Sequence, residues 1–586
     1  IKKSINERDY LHKLLDSLRI SVKSNKVVLL LALGTLMLIE PAMMLYDKQV
    51  ETVTAEKKNT NAQKTKLSDS QIIKNLGVKK VANSDNDKLT AKYANIVKQQ
   101  HYTWENPYIK VNPYENSPLT ALMVFHTDKP AKISYRVIGK TENTTIENKV
   151  KGYQADHQVP IVGLYAGYDN SVEVTMTDQA GKKQVKVVKI KTSKLPSWIS
   201  KFPIKVTVND KSKMNLGSNE LTVLNRSTKQ TFAVDGDGEV RWYYLRWNQH
   251  IFEQLDNGHI LLFNKIKSGD EQYNMLVETD YLGRVYRQFS FDKTLGKSYS
   301  GEGVSLVHHD VVEMSNGNWL LTVHDGSKYV EDTIAELDPN TGKIVKVIDF
   351  KKIFPESMYK NSKIKANDNT SSGLGLMDWL HINTISYDDK TGNILLSARN
   401  QDMIWSMNYQ TNKINWIFSS KPESQWPSSF RKYLLKPSSG TKYPGGQHGV
   451  YILNEENNKL NVLLYDNNIA VTNGDKTQSS KFSAATEYQI DTKKKTIKQV
   501  WSYGKNLGKQ NFTEVIGYAQ RLNNGNTLIN FGFKNKGKES NIIEVDAYGN
   551  QVFNLTITNS AKDMTYVYRA YRMQFYPDNY VFDATK

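Results

Sequence analysis

Four histidines of this chain stand in register with a repeated turn. His250 and His309 each lie seven residues before a turn asparagine, Asn257 and Asn316, and His381 and His448 hold the equivalent place in later copies. Imidazole can act as a nucleophile, move a proton near neutral pH, or ligate a metal. A single histidine in such a place is most simply structural, but several in register are hard to explain by packing. Arg399, in Ser397-Ala-Arg-Asn-Gln, follows the turn of the His381 copy, and Asn383 sits two residues beyond His381 on the same side of an extended strand. Imidazoles, an amide and a planar guanidinium fork around one pocket describe a site for a tetrahedral oxyanion. Zinc or copper ligation by three histidines is the rival chemistry, and a fixed cation at Arg399 disfavours it. A non-catalytic binding module is a second rival, which leaves the registered histidines unexplained.

His308 adjoins His309. Alternation along a strand sends neighbours to opposite faces, so the register favours His309 for the pocket. His250 receives no role, and the fifth register position is Gly517.

These residues need a scaffold that brings distant strands to one point. Gln254-Leu-Asp-Asn-Gly-His-Ile-Leu-Leu recurs as Glu313-Met-Ser-Asn-Gly-Asn-Trp-Leu-Leu, as Asp389-Lys-Thr-Gly-Asn-Ile-Leu-Leu and as Arg521-Leu-Asn-Asn-Gly-Asn-Thr-Leu-Ile, with a diverged copy from Asn454. Asn-Gly favours tight hairpins because both residues accept positive φ. A second hairpin type alternates with the first, centred near Gly236, Gly283, Thr341, Thr411, Thr492 and Gly549. Six such pairs predict six four-stranded blades, a β-propeller whose innermost strands line a central channel; an array of β-sandwiches is the alternative. Residues Tyr568 to Tyr576 are expected to close the ring by pairing with strands from its start. The long insertions at 355–378 and 421–447 are expected to cover the pocket and exclude water.

Ahead of this region, alternating runs such as Lys132-Ile-Ser-Tyr-Arg-Val and Ser171-Val-Glu-Val-Thr-Met predict a small immunoglobulin-like sandwich. The expected architecture is therefore all-β: a sandwich over 104–198, then a six-bladed propeller over 199–586. Residues 47–103 read as a polar linker with short helices near Ile72 and Tyr93. Residues 27–46 form a leucine-rich apolar segment after the basic stretch 1–26, the pattern of a signal anchor or signal peptide. This predicts an N-terminal membrane anchor helix, a cytoplasmic basic segment and an extracellular remainder, or a secreted protein if the segment is cleaved.

The first eighty residues carry +7 of the net charge of +18, as basic runs on either side of the apolar segment, and no nucleic-acid motif accompanies the charge, so no nucleic-acid partner is assigned. The chain has no cysteine, which removes thiolate catalysis, disulfides and Cys-ligated zinc.

Several stretches resemble the arylsulfate sulfotransferases. They are Asp378-Trp-Leu-His-Ile-Asn-Thr-Ile-Ser-Tyr-Asp, Ser397-Ala-Arg-Asn-Gln, Gly446-Gln-His-Gly-Val, Leu464-Tyr-Asp-Asn-Asn and Ala485-Thr-Glu-Tyr-Gln-Ile-Asp, with Asn112-Pro-Tyr-Glu-Asn-Ser-Pro in the sandwich. The resemblance runs in order over about 105–580. It implies that His448 is a nucleophile carrying a transient sulfohistidine, that His309, His381 and Arg399 hold the sulfuryl oxygens, and that Asn383 binds substrate beside them. It implies a phenolic sulfate ester as donor, a phenol as acceptor, no cofactor, no metal and a homodimer. The disulfide found in some members cannot form here.

Overall fold

The computed structural model describes residues 65–265, 273–291, 306–366 and 375–586. The apolar stretch 27–46 and the basic stretch before it lie outside the described residues. Among the described residues, no helix is long and apolar enough to cross a membrane.

The chain is mostly β. Each hairpin pair of the sequence repeat becomes a four-stranded antiparallel meander, beginning at Asn248–Gln254, Val307–Glu313, Ile382–Asp388, His448–Glu456 and Tyr518–Arg521. A sixth sheet is built from both ends of the region. Its strands Glu220–Arg226, Phe232–Val234 and Val240–Tyr243 are joined by Val567–Gln574, which pairs antiparallel with Glu220–Arg226. This is the pairing expected for Tyr568 to Tyr576. A second tie comes from Ile204–Asn209, which adds to the outer strand Gln551–Thr558 of the last sheet. Two separate pairings between early and late segments make loss of either end costly to the whole. The strands that begin the sheets contact one another in sequence order, from Asn248–Gln254 round to Val567–Gln574. Side chains at equivalent heights on these strands therefore face common space.

Between the sheets the core is aromatic and β-branched. Trp242, Trp319, Trp405 and Trp416 are buried among the valines, leucines and isoleucines of successive strands, in keeping with residues that suit a pleated, covered surface.

The sandwich is organised by one long strand, Thr120–Val137. Its first half pairs with Tyr108–Val111 and Gln154–Val162, its second half with Ile146–Lys149 and Asp169–Asp178. The register slips between His126 and Ala131, around Pro130, so one strand serves two layers. The Asn112-to-Pro118 stretch forms the joint to the sheets: Asn116 Nδ2 donates to Gly283 O at 3.0 Å and Ser117 Oγ to Tyr281 O at 2.7 Å. Arg241 completes the joint, donating to Gly163 O, Thr144 O and Asp235 while fully buried.

Two expectations need correction. From Leu67 onward the presumed polar linker is packed. Helices Asp69–Leu76 and Ser84–Gln99 bury Ile72, Leu76, Tyr93 and Val97, and Val78–Lys80 adds a strand to Val285–Phe291. The few apolar residues of this segment sit at helical spacing, which suffices to dock it despite a polar composition. The 421–447 insertion is not a cover for the histidines over most of its length. Leu434 bridges to Ile417, and Lys436–Pro437 pairs in parallel with Thr496–Tyr503, an outer strand. Its apolar residues Trp426, Phe430 and Leu435 draw it against the flank of the sheets. Only its end, at Gly445 to Gln447, reaches the histidine pocket.

Candidate active site

Each of the four strands that contain or follow a registered histidine is irregular at or just after that residue. The ladders slip between Asn248 and Phe252, Val307 and Val311, Ile382 and Thr384, and His448 and Tyr451. Bulges re-aim side chains and tighten local twist. His250 and His381 also adopt left-handed backbone conformations, with φ of 55° and 57°, unusual for non-glycine residues and typical of functional positions.

The result is a cluster. His309 and His381 have ring centroids 4.7 Å apart, His250 and His309 5.4 Å, and Tyr568 stacks on His250 at 4.2 Å. His308 belongs to the cluster as well. Its Nδ1 lies 2.8 Å from Nδ1 of His309, because the bulge cancels the alternation that would send the two rings to opposite faces.

The protonation states can be derived from the hydrogen bonds. Asn467 Nδ2 donates to Thr513 O at 2.9 Å and Ile516 O at 2.8 Å, which fixes the amide so that Oδ1 faces His448. His448 Nδ1 lies 2.7 Å from that oxygen and must therefore carry the hydrogen, leaving the Nε2 lone pair free. Burial first, and the Arg399 charge second, hold the His448 pKa well below the usual histidine range. The ring is thus a neutral, Nε2-basic imidazole, the form a nucleophile needs.

His381 is the opposite case. Its Nδ1 meets Glu331 Oε2 at 2.6 Å and Asp378 Oδ2 at 2.5 Å. Burial alone would lower its pKa, but the two carboxylates outweigh burial and push it up to about 10. At neutral pH His381 is an imidazolium with its Nε2–H left as a second donor. His308 and His309 are held neutral, by burial first and by neighbouring histidines second, with pKa values well below the usual range.

Every residue of the segment bearing His448 is pinned. Gly445 N donates to Asp466 and Gly446 N to Asp402. Gln447 O accepts from Asn383 and Ser397, and Gly449 N donates to Thr384 Oγ1. Gly449 has φ 62°, and a Cβ there would meet the Tyr518 ring at 2.6 Å, so no other residue fits beside His448. Asp402 gathers the backbone N–H groups of Thr472, Asn473 and Gly474 as well, drawing the 471–474 loop to the pocket.

Asn383 is fully buried, with Nδ2 on Gln447 O and Oδ1 accepting from Thr384. Its amide nitrogen and oxygen are both hydrogen-bonded, and it braces the His448 segment. Arg399 follows the strand Asn393–Ala398 and is tied to the cluster by its N–H to His381 O. Its Nη1 donates to Asn400, Nη2 reaches Glu514 O at 3.5 Å, and its buried Nε has no hydrogen-bond partner among the described residues. A guanidinium with an unpartnered donor, near enough to His448 for its charge to lower that pKa, suits a tetrahedral anion.

The residues the sequence reading missed are Glu331, Asp378 and Asn467. Asp378 and Asn467 fall within stretches quoted above, three residues before His381 and inside Leu464-Tyr-Asp-Asn-Asn, where an acid or amide near a histidine is itself a signal. Glu331 lies in a connection without a motif. Donor atoms of His308, His309 and Glu331, and of Glu331, Asp378 and His381, lie within 4.8 Å of one another. The second set is already bound together by the imidazolium, and Arg399 adds a further positive charge at the same place.

Residues 206–569 match the arylsulfotransferase (ASST) family, and residues 108–193 match the arylsulfotransferase Ig-like domain. Among curated proteins, the chain is 23% identical over 526 residues to arylsulfate sulfotransferase AssT of Lelliottia amnigena, covering 72% of this chain and 84% of that one. It is 24% identical over 533 residues to AssT of Escherichia coli O6:H1, with the same coverage. Among solved structures, the periplasmic gluconolactonase PpgL of Pseudomonas aeruginosa aligns with a TM-score of 0.31 and 10% identity over 76% of this chain and 100% of that one, too remote to bear on the fold. With one family matched across the six sheets and the same family's Ig-like domain matched across the sandwich, the chain belongs to the arylsulfotransferase family.

Proposed function

We propose that this protein transfers a sulfuryl group from an aryl sulfate ester to an acceptor phenol in two steps through a sulfohistidine at His448. Family membership supports aryl sulfotransfer in general. The observation that carries the finer reading is the His448–Asn467 hydrogen bond, which leaves Nε2 unprotonated next to Arg399 and the cationic His381.

In the first step His448 Nε2 attacks sulfur. The N–S bond forms, the S–O(aryl) bond breaks, and the electron pair leaves on the phenolate oxygen. The proton this oxygen needs comes from His381 Nε2. An ordinary phenol has a pKa of about 10, close to the value of about 10 for His381, and a matched donor transfers its proton without a large penalty in either direction. In the second step the acceptor phenol attacks sulfur and gives its proton to His381, and the N–S electron pair returns to His448. Arg399, with His309 and with His381 while it is charged, would hold the sulfuryl oxygens; the Arg399 charge is fixed and needs no reorganisation as charge shifts in the transition state.

The six sheets are, in this reading, the blades of a six-bladed β-propeller, with the histidines at one mouth of its channel and the sandwich over 104–198 ahead of it. The basic stretch 1–26 and the apolar stretch 27–46 would tether the enzyme to the cell membrane with the catalytic region outside. A donor that carries its own activated sulfuryl group suits that location, where nucleotide donors are not supplied.

The test is a chromogenic assay. With 4-nitrophenyl sulfate as donor, release of nitrophenolate should be slow alone and accelerate in proportion to added phenol, with the sulfated acceptor formed in equal amount. Release independent of phenol, with inorganic sulfate as product, would make the protein a hydrolase instead.

A further inference from the structure

Behind the histidines lies a buried charge cluster that the transfer reaction itself does not use. Lys351, fully buried, donates to Asp325 and Asp332 at 2.9 Å each and pairs with Asp349 at the same distance. Trp379 Nε1 adds a hydrogen bond to Asp332 Oδ2 at 2.6 Å. The cluster therefore clamps the 325–332 connection against Trp379, two residues before His381. An ammonium among three carboxylates is strongly held in place, and breaking such a group is costly.

Glu331 is the residue this clamp presents to the pocket. It is buried, with a left-handed backbone at φ 57°, a conformation retained only where the surroundings enforce it. Its N–H donates to His324 Nδ1 at 3.3 Å and its carbonyl accepts from Ile382 N at 2.9 Å. The carboxylate is thereby set on His381 Nδ1 at 2.6 Å, with Asp378 on the same nitrogen at 2.5 Å and His309 Nδ1 at 3.9 Å on the other side.

We infer that Glu331 is a positioning residue which, together with Asp378, keeps His381 charged and turned so that its Nε2–H faces the phenolic oxygen. The inference rests on the two-step reading above for the direction of proton flow. Asp378 Oδ2 takes the Nδ1 hydrogen and Glu331 Oε2 adds a second negative charge at the same nitrogen, which leaves Nε2 as the nitrogen that exchanges its proton with substrate. Among the described residues, His308, His309, His448 and Arg399 also face His381. The three imidazoles are neutral at neutral pH and Arg399 is cationic. Glu331 and Asp378 are thus the groups that favour the charged ring.

The sign follows directly. The working form of His381 in the first step is the cation, so turnover should fall as pH rises through its pKa. Glu331→Gln keeps the size and a hydrogen-bond acceptor but removes the charge, and should move the alkaline limb of kcat down by about 1–3 pH units, the usual effect of one close opposite charge. Glu331→Asp, which restores the charge, should recover at least part of the shift. The same change should appear in the NMR titration of the His381 imidazole in isotope-labelled protein, a readout independent of sulfuryl chemistry. If the sulfohistidine reading failed, this titration would still shift, so the two failures are distinguishable. An alkaline limb and a His381 titration unmoved in Glu331→Gln, or a uniform loss of activity at every pH, would overturn the inference. Should Glu331→Gln not fold, Asp378→Asn addresses the same nitrogen: a lowered limb supports the assignment and an unmoved one contradicts it.

Discussion

Replacing His448 by glutamine should abolish aryl transfer, with kcat falling by about 10⁴-fold or more, the scale seen when a covalent nucleophile is removed. Glutamine is the informative substitution because its amide can still donate to Asn467 Oδ1, which otherwise loses its partner in a buried site. Alanine would leave that oxygen unpaired at a cost of about 1–3 kcal/mol, and lost activity would then be confounded with lost stability. With glutamine, the thermal midpoint should stay near that of the wild type. Donor binding should persist too, because Arg399 and His381 are untouched. A variant that binds the donor but neither releases phenol nor sulfates an acceptor isolates the chemical step. Substantial activity in folded His448→Gln would assign the nucleophile elsewhere, and His309 would be the next residue to test.

The second large effect is at Arg399. Lysine in its place keeps the positive charge but loses the planar fork and the open Nε. Turnover in Arg399→Lys should drop by about 10²–10³-fold, the usual cost of removing one well-placed donor to a developing oxyanion. The loss should fall mainly on kcat, since a point charge still attracts the sulfate ester while the directional hydrogen bonds gained in the transition state are gone. Steady-state kinetics with donor varied at saturating phenol reads this split. A change confined to KM would mean that Arg399 serves ground-state capture alone.

How much of this could be read before the structure depends on the kind of residue. The repeat was legible because Asn-Gly turns impose positive φ locally, at Gly258 and Gly317 for example, and strands of fixed length between them leave few arrangements. The registered histidines were legible for the same reason: a repeat places equivalent residues at equivalent heights. Local irregularity was not. The bulge between Val307 and Val311 brings His308 into the cluster against simple alternation, and no composition rule marks it. The amide of Asn383 donates to the backbone of Gln447, a contact between residues 64 positions apart that its place two residues beyond His381 does not reveal. Glu331 carries no motif at all, since its place depends on Lys351 and the aspartates behind it. The 421–447 insertion was read as a cover because it is long. Length alone does not say which surface its Trp426 and Phe430 will bury.

Charge states divide the same way. That several histidines share a pocket was readable; that one is held cationic while its neighbours are held neutral was not. His381 and His309 differ in what meets their Nδ1 atoms, two carboxylates within 2.6 Å in one case and another imidazole at 2.8 Å, with Glu331 only at 3.9 Å, in the other. This difference, created by folding, is what separates a charged imidazole from a neutral neighbour.

The central claim, a covalent sulfohistidine at His448, is tested most directly by mixing enzyme with donor in the absence of any acceptor phenol. The account predicts a rapid burst of one phenol per active site followed by a much slower phase, because donor and acceptor use the site in turn and water is a poor substitute for phenol. Mass spectrometry of the burst product, handled at neutral or alkaline pH to preserve the N–S bond, should find one added sulfuryl group on the peptide containing Gly446-Gln-His-Gly-Val. Added phenol should discharge it. No burst and no adduct, with intersecting lines in two-substrate kinetics, would contradict the account: transfer would then be direct within a ternary complex, and His448 would serve to bind the sulfuryl oxygens rather than to carry the group.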